Sequence, residues 1–351
     1  MSMACIKTAD SPSQVPIRVA VIVPTYKQPG LLAEALDTAL HQRTDFGYSI
    51  VVVEDGCPFP ETAQVCRDFA AAHPGRIHHL RKRNNGLSAA RNTGIDFALT
   101  AFPSLEAVYF LDSDNRIQPL LLQRLFDALR RSGPKIGWAY PDIDKFGFPE
   151  FCDTSGDYSP LEHLFRNVSE AGSMASRRLL DAGARFDETM RKGCEDWEFW
   201  LQGLELGFRG VHVPFAGFRY RRRGESMLMD AERDMAPIRA HLYSRHPGLF
   251  GVKAIARLEA EASRRYAVYL TDLGIVRCIN GGGRHDDGED LAEGEFAGRA
   301  LRLYERPGYG KCPGQVIVMD STLYALLASR RRLDGVLWTM ERAMMREGLT
   351  D

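Results

Sequence analysis

Residues 17–26 read IRVAVIVPTY, a run of β-branched and small apolar residues that closes on Pro24, Thr25 and Tyr26. After Arg18 the apolar positions are near-continuous, the pattern of a strand buried on both faces. GLLAEALDTALHQ (30–42) follows at helical spacing, and YSIVVVEDG (48–56) repeats the apolar strand, now ending on Glu54, Asp55 and Gly56. Outward from there, the same alternation predicts a helix at 61–72, a short strand at 76–80, a helix at 86–102 and a strand at 105–114. A helix at 120–132 and a strand at 135–143 extend it. This alternation predicts an α/β domain, Rossmann-like, with a mostly parallel central sheet and helices on both faces. Right-handed crossovers bring the carboxyl ends of such strands to one edge, where open α/β sheets bind ligands.

Two of those ends are acidic. YFLDSDNRI (109–117) runs straight from an apolar strand into Asp112, Ser113 and Asp114. Asp, Ser and Asn form turns, so a solvated strand end would account for the stretch. The alternative is a pair of carboxylates that holds a divalent cation against a phosphorylated substrate. Because Glu54 and Asp55 are expected at the same edge, the second reading gains weight.

The chain's 351 residues suffice for one large domain or two modest ones, and its 44% hydrophobic and 26% charged content is that of a globular protein. A formal net charge of −1 gives no global attraction to nucleic acid or to an anionic membrane. The seven cysteines are odd in number, and none stands in a close pair of metal-ligand spacing, which suits free thiols in a reducing compartment. With no long apolar run and no secretory apolar segment at the N-terminus, the expected location is cytoplasmic. No G-x-G-x-x-G follows the first strand and no P-loop occurs, which argues against a dehydrogenase or a P-loop nucleotidase.

What does occur is an ordered set: VIVPTYKQ and VVVEDG at strand ends, NNGLSAARNTGI opening a helix, FLDSDN at a later strand end, and GCEDWEFWL opening a helix near residue 195. This order resembles the family 2 glycosyltransferases, inverting enzymes of the GT-A fold, over roughly residues 17–228. The resemblance implies a GT-A-type domain at 17–229 that binds a nucleotide-diphosphate sugar, a UDP-sugar first, with Mn²⁺ or Mg²⁺. It would transfer the sugar to a saccharide or other hydroxyl acceptor in polysaccharide or glycoconjugate synthesis.

Read from the residues, Asp55 at a strand end can accept the imide N–H of a uracil. The resemblance gives it that job, with Pro24, Thr25 and Tyr26 beside the nucleoside and Glu54 where relatives usually carry Asp. It places Arg91 and Asn85 near nucleotide and phosphates. It directs Asp112 toward the ribose or an inner-sphere water, with Ser113 adjoining, and puts Asp114 on the metal. Asp196, with Glu195 beside it, matches the family's catalytic base; a helix N-terminal acid favoured by the macrodipole is the plainer reading. Trp197 and Trp200 would offer a flat face to a sugar or belong to the core. Arg223 stands where many relatives carry a metal-ligating His; it can contact diphosphate but cannot hold a cation. His212 is an alternative ligand.

Two other functions remain open. A sugar-phosphate nucleotidyltransferase would want a Gly-rich basic loop after strand one, whereas PTYKQPG holds one Lys and one Gly. A non-catalytic nucleotide-sugar-binding scaffold would have no reason to keep Asp55, Asp112, Asp114 and Asp196 together. Residues 1–16 read as a flexible polar leader and 230–351 as a mainly helical extension. That extension has helices at 231–246 and 252–270, a Gly/Asp loop at 280–294, a strand at 314–320 and a last helix at 321–347. The apolar face of the last helix is expected to pack on the catalytic domain, with homodimer formation second and membrane contact third.

Overall fold

The computed structural model describes residues 15–147, 151–153, 158, 160–164, 167–222, 235–250, 254 and 258, with the backbone of five further strands between 266 and 319. The expected leader lies almost wholly outside the described residues, as do Arg223 and the last helix at 321–347. The predicted alternation is present: β1 (Ile17–Thr25), α1 (Pro29–Leu40), β2 (Gly47–Asp55), α2 (Pro60–Ala72), β3 (Ile77–Lys82), α3 (Leu87–Ala101) and β4 (Ala107–Phe110). There follow β5 (Arg116–Ile117), α4 (Leu121–Arg131), β6 (Ile136–Phe146), β7 (Phe151–Asp153), α5 (Pro160–His163), β8 (Met174–Ser176), α6 (Arg177–Asp181), α7 (Glu195–Glu205), β9 (Arg209–Arg221) and α8 (Met235–Arg245).

The main sheet has the order β3-β2-β1-β4-β8-β6-β9-β5, with β7 paired to β6. β1, β2, β3 and β4 pair in parallel. β8 runs antiparallel to both β4 and β6, so β6 and its parallel partner β9 point the same way as the first four. The sheet is therefore mostly parallel, as expected. Chain order reverses between β1 and β4, so their carboxyl ends flank the switch-point crevice. Because β8 enters backwards between β4 and β6, the residues just before it also lie at that crevice.

Side-chain alternation divides the core in two. Val19, Val21, Val23, Ile50 and Val52 face α1 and α4, while Ala20, Ile22, Val51, Val53 and Phe110 face α3 and α7. Helix α3 lies close on the sheet because residue 94 is glycine; a Cβ there would meet Ile22 Cγ2 at 2.6 Å. Trp138 stacks on Trp200 with centroids 5.2 Å apart, deep under α7.

Three boundaries differ from the sequence reading. The regular part of β4 stops at Phe110, and Leu111–Asn115 turn instead, because Asp112 and Asp114 bind neighbours rather than a sheet partner. β9 runs to Arg221 because β5 and β6 both pair with it. In the extension expected to be mainly helical, Met235–Arg245 is a helix, but the other described elements are strands: β10 (Tyr266–Leu270), β11 (Val276–Asn280), β12 (Gly294–Phe296), β13 (Arg299–Glu305) and β14 (Gln315–Met319) form a second, antiparallel sheet of order β11-β10-β13-β12, with β14 paired to β13. The aromatic and branched YAVYL of β10 suits a strand, and the helix expected over 252–270 does not extend through it.

Candidate functional site

The site is assembled on the α3 and α7 side of the sheet. Glu54 and Asp55 leave β2 on opposite faces, as successive strand residues must. Asp55 is 4% exposed, and its Oδ1 accepts from Asn85 N at 3.0 Å and Lys82 Nζ at 2.9 Å, its Oδ2 from Gly86 N at 2.7 Å. It thus pins the turn into α3 with three donors and keeps one lone-pair position for a ligand. That turn needs Gly86, whose φ is +86° and whose absent Cβ would strike Arg191. Glu54, completely buried, faces His79 Nε2 at 3.1 Å and Arg81 Nε at 3.2 Å, so the structure does not bring it to the crevice with Asp55. Pro24 and Thr25 are buried at the end of β1, and the Thr25 hydroxyl has no hydrogen-bond partner among the described residues; Tyr26 is exposed.

Arg91 is the centre of the polar core. From the first turns of α3, 1% exposed, its Nη2 donates to Asp112 Oδ1 at 2.7 Å and its Nη1 to Glu195 Oε1 at 2.6 Å. Burial acts to lower its pKa, but the two carboxylates outweigh that and raise it. One guanidinium therefore ties the end of β4 to the start of α7. Asp112 is a quarter exposed on its side chain, and its other oxygen makes no hydrogen bond among the described residues. Ser113 is buried; Asp114 is half-buried, and its carbonyl accepts from Arg221 Nε at 2.9 Å.

α7 opens after Gly193 and Cys194, both with positive φ, and carries Glu195, Asp196 and Glu198 in its first turn, where the macrodipole favours acids. Asp196 Oδ1 accepts from Trp197 N at 2.8 Å and its Oδ2 from Asn167 Nδ2 at 2.9 Å. Burial first, and the Glu195 carboxylate second, push Asp196 up to about 7. Glu170, just before β8, is pushed up too, by burial and then by Asp112 and Asp196. The Tyr220 phenol is raised by burial and by Glu170, Asp114, Asp112 and Asp196. Five acidic side chains, Asp112, Asp114, Glu170, Glu195 and Asp196, thus share one end of the crevice, with Arg91 buried among them.

Trp197 and Trp200 are 2% and 0% exposed, so neither offers a face to a sugar; Trp197 Nε1 instead donates to His163 O at 2.7 Å. His212 is held by Asp142 Oδ1 at 2.7 Å and stacked on Tyr140, which gives it a structural partner in place of a cation. Glu170, Asn167 and Tyr220 were not expected. The first two lie in a stretch without periodicity, and only β8's reversed direction brings them to the crevice.

The sequence matches the description Glycosyl transferase family 2 over residues 20–169. It is also 31% identical over 224 residues to the succinoglycan biosynthesis protein ExoW of Rhizobium meliloti (strain 1021), covering 57% of this chain and 67% of that one. The chain belongs to glycosyl transferase family 2. Glycosyltransferase GlyA of Streptococcus pneumoniae serotype 4 (strain ATCC BAA-334 / TIGR4) is 35% identical over 47% of this chain, which spans only 23% of GlyA's length. Among solved structures, S. aureus TarS 1–349 in complex with UDP-GlcNAc aligns with a TM-score of 0.50 and 21% identity, over 60% of this chain and 61% of that one. That likeness shows the fold: the family 2 domain here has the Rossmann-like GT-A architecture.

Among the described residues no helix is long and apolar enough to cross a membrane. Nor do three acidic, His or Cys side chains among them converge on one metal position. Asp112 and Asp114 nevertheless fit a hard divalent cation of the Mg²⁺ or Mn²⁺ kind. Such ions take one or two carboxylates and complete their shell with substrate phosphates and water. Burial first raises Glu170 and Asp196, and the neighbouring carboxylates that add to the shift mark a place where positive charge is favoured.

Proposed function

We propose that this family 2 chain is an inverting glycosyltransferase that moves a sugar from a nucleotide-diphosphate donor, a UDP-sugar first, to a hydroxyl acceptor. The observation that carries the reading is the Arg91 bridge, which holds Asp112 and the helix start bearing Asp196 to one buried cation. Leaving-group and proton-accepting ends of a displacement are thereby fixed to each other. The biosynthetic names of relatives, for succinoglycan and for minor teichoic acid, support an acceptor in polysaccharide or glycoconjugate synthesis.

In this mechanism Asp55 takes a base N–H, Asp112 and Asp114 border the diphosphate, and Arg91 holds Asp112 in place from beneath. A divalent cation bound by Asp112 and Asp114 supplies neutralisation of the leaving group's charge. Asp196 accepts the acceptor's hydroxyl proton as that oxygen bonds to the anomeric carbon and the carbon–phosphate-oxygen bond breaks, its electron pair leaving with the diphosphate. A base whose pKa lies near 7 matches the working pH, which maximises proton transfer from a weak acid. Asn167 and the Trp197 amide orient it. Catalytic work in the cytoplasm and a monomeric or dimeric state belong to the same proposal.

A thermal-shift panel of nucleoside diphosphates and their sugars, with and without Mn²⁺, tests the reading. The expectation is a shift with UDP or a UDP-sugar that grows with Mn²⁺. No response to any nucleotide would overturn it.

A further inference from the structure

Between the leaving-group acids and the base lies a carboxyl group that the reaction described above does not use. Glu170 closes the loop before β8, and its Oε2 accepts from the amide of Gly172. Three neighbours fix this loop. Asn167 donates to Asp196 at 2.9 Å, Ser173 O accepts from Phe110 N at 3.2 Å at the very end of β4, and Tyr109 pairs with Met174 across the sheet. The loop therefore spans the gap from α7's first turn to the strand that delivers Asp112.

A second observation points to a ligand there. Tyr109 is completely buried, yet among the described residues its hydroxyl has no hydrogen-bond partner, and the carboxylates acting on it are those of Glu170 and Asp112. A buried hydroxyl left unpaired costs on the order of 1–3 kcal/mol, so it is expected to have a partner when the protein works. Not even a Cβ fits at Gly172 beside Glu170, since it would lie 2.8 Å from Glu170 Oε2 and 2.5 Å from the Phe218 ring. The carboxyl is thus confined on its protein side.

We propose that Glu170 is a sugar-contacting, specificity-determining residue, hydrogen-bonded to a ring hydroxyl of the transferred sugar between Asp112 and Asp196. This rests on the glycosyltransferase reading. In a displacement the leaving diphosphate, the anomeric carbon and the attacking oxygen lie nearly in line. A group that borders both the leaving-group acid and the base flanks that line, where the sugar ring must sit. A polar group held in a confined site discriminates hydroxyl position, because a sugar with the wrong epimer leaves it unpaired.

The test compares full-length wild type, Glu170→Gln and Glu170→Ala by calorimetry with UDP alone and with UDP-glucose, UDP-galactose and UDP-GlcNAc, and by transfer rates with each. UDP affinity should stay within about twofold in all three, which also reports that the fold is intact. The wild-type ranking of the sugars should flatten by roughly tenfold or more in Glu170→Ala, with Glu170→Gln intermediate, since an amide keeps part of the hydrogen bonding. An unchanged ranking in both variants, with UDP binding intact, overturns the assignment of Glu170. Wild type that binds neither UDP nor any UDP-sugar overturns the glycosyltransferase reading instead. If Glu170→Ala fails to fold, Glu170→Gln alone decides.

Discussion

Removing everything after residue 230 should destroy the catalytic domain rather than liberate it, and the structure lets the size of the effect be worked out. Helix α8 lies on α7 and on the loop before it. Glu198, completely buried on α7, receives Arg245 Nε at 3.1 Å and His246 Nε2 at 3.2 Å. Asp187 receives His241 Nε2 at 2.8 Å and Arg245 Nε at 3.2 Å, and Glu205 receives His246 Nδ1 at 2.8 Å. Burial works against the charge of Asp187, but hydrogen bonds from Thr189 and His241, with Arg245 nearby, hold its pKa down to about 2. Without α8, Glu198 keeps only its bond to Gln202, and a buried charge stripped of its partner costs about 3–5 kcal/mol. The apolar surface under Ile238, Leu242 and Leu249, all buried, adds about 1.5–3 kcal/mol for each side chain lost. Together these rival the ~5–15 kcal/mol that holds a typical domain folded. Thermal unfolding and limited proteolysis of 1–230, 1–250 and the full chain measure it, and 1–230 should lack a cooperative transition. In the full chain, Leu242→Ala should cost about 2–5 kcal/mol. A monomeric 1–230 fragment that melts within a few degrees of the full chain would refute the reasoning.

Other expectations follow from the same geometry. Burial lowers His246, but hydrogen bonds and charge from Glu198 and Glu205 outweigh it and raise its pKa. Its contribution is therefore complete below the unfolded His value of about 6.5 and is lost as pH rises through the higher folded value. His246→Gln should accordingly lower Tm more at pH 6 than at pH 9, and an equal loss at both would contradict the ion pairs. Asp114→Ala should remove the Mn²⁺ enhancement of UDP binding while leaving the fold intact, as read by calorimetry; unchanged Mn²⁺-dependent affinity would take the metal away from Asp114. Because Asp196 must be unprotonated to act as base, kcat/KM should fall about tenfold per pH unit below about 7 and level off above it. A flat profile from pH 5 to 8 would exclude that role.

Much of the fold was readable because its signals are local. An unbroken apolar run such as residues 19–23 suits a doubly covered strand, and the acids at its neighbours' ends are contiguous in sequence. Asp55 and Asp112 were found that way, Arg91 and Asp196 through the resemblance to the family, and the structure gathers all four on one side of the sheet. Glu54 was misplaced because adjacency in sequence is opposition in a strand. The two tryptophans of α7 were ambiguous for a related reason, since a helix opening with acids and aromatics reads alike whether the rings face sugar or core. Glu170 and the clamp from His241, Arg245 and His246 were not legible. Their partners lie dozens of residues away, and a lone carboxylate or histidine carries no periodic mark. Antiparallel insertion of three-residue β8 decides where Glu170 goes, and nothing in MAS announces its direction.

The central claim is that Asp196 takes the acceptor's proton and does not merely shape the site, and one variant separates these. Asp196→Asn retains size and the bond from Trp197 N while removing the basicity; it gives up only the bond from Asn167, whose amide cannot donate to a second amide nitrogen. Donor affinity and transfer rate should be measured on the same preparation, with the UDP-sugar that wild type turns over. The account predicts donor affinity within about twofold of wild type and turnover lower by roughly 10²–10⁴-fold, the range for a lost general base. Weakened donor binding with the transfer rate preserved would contradict it.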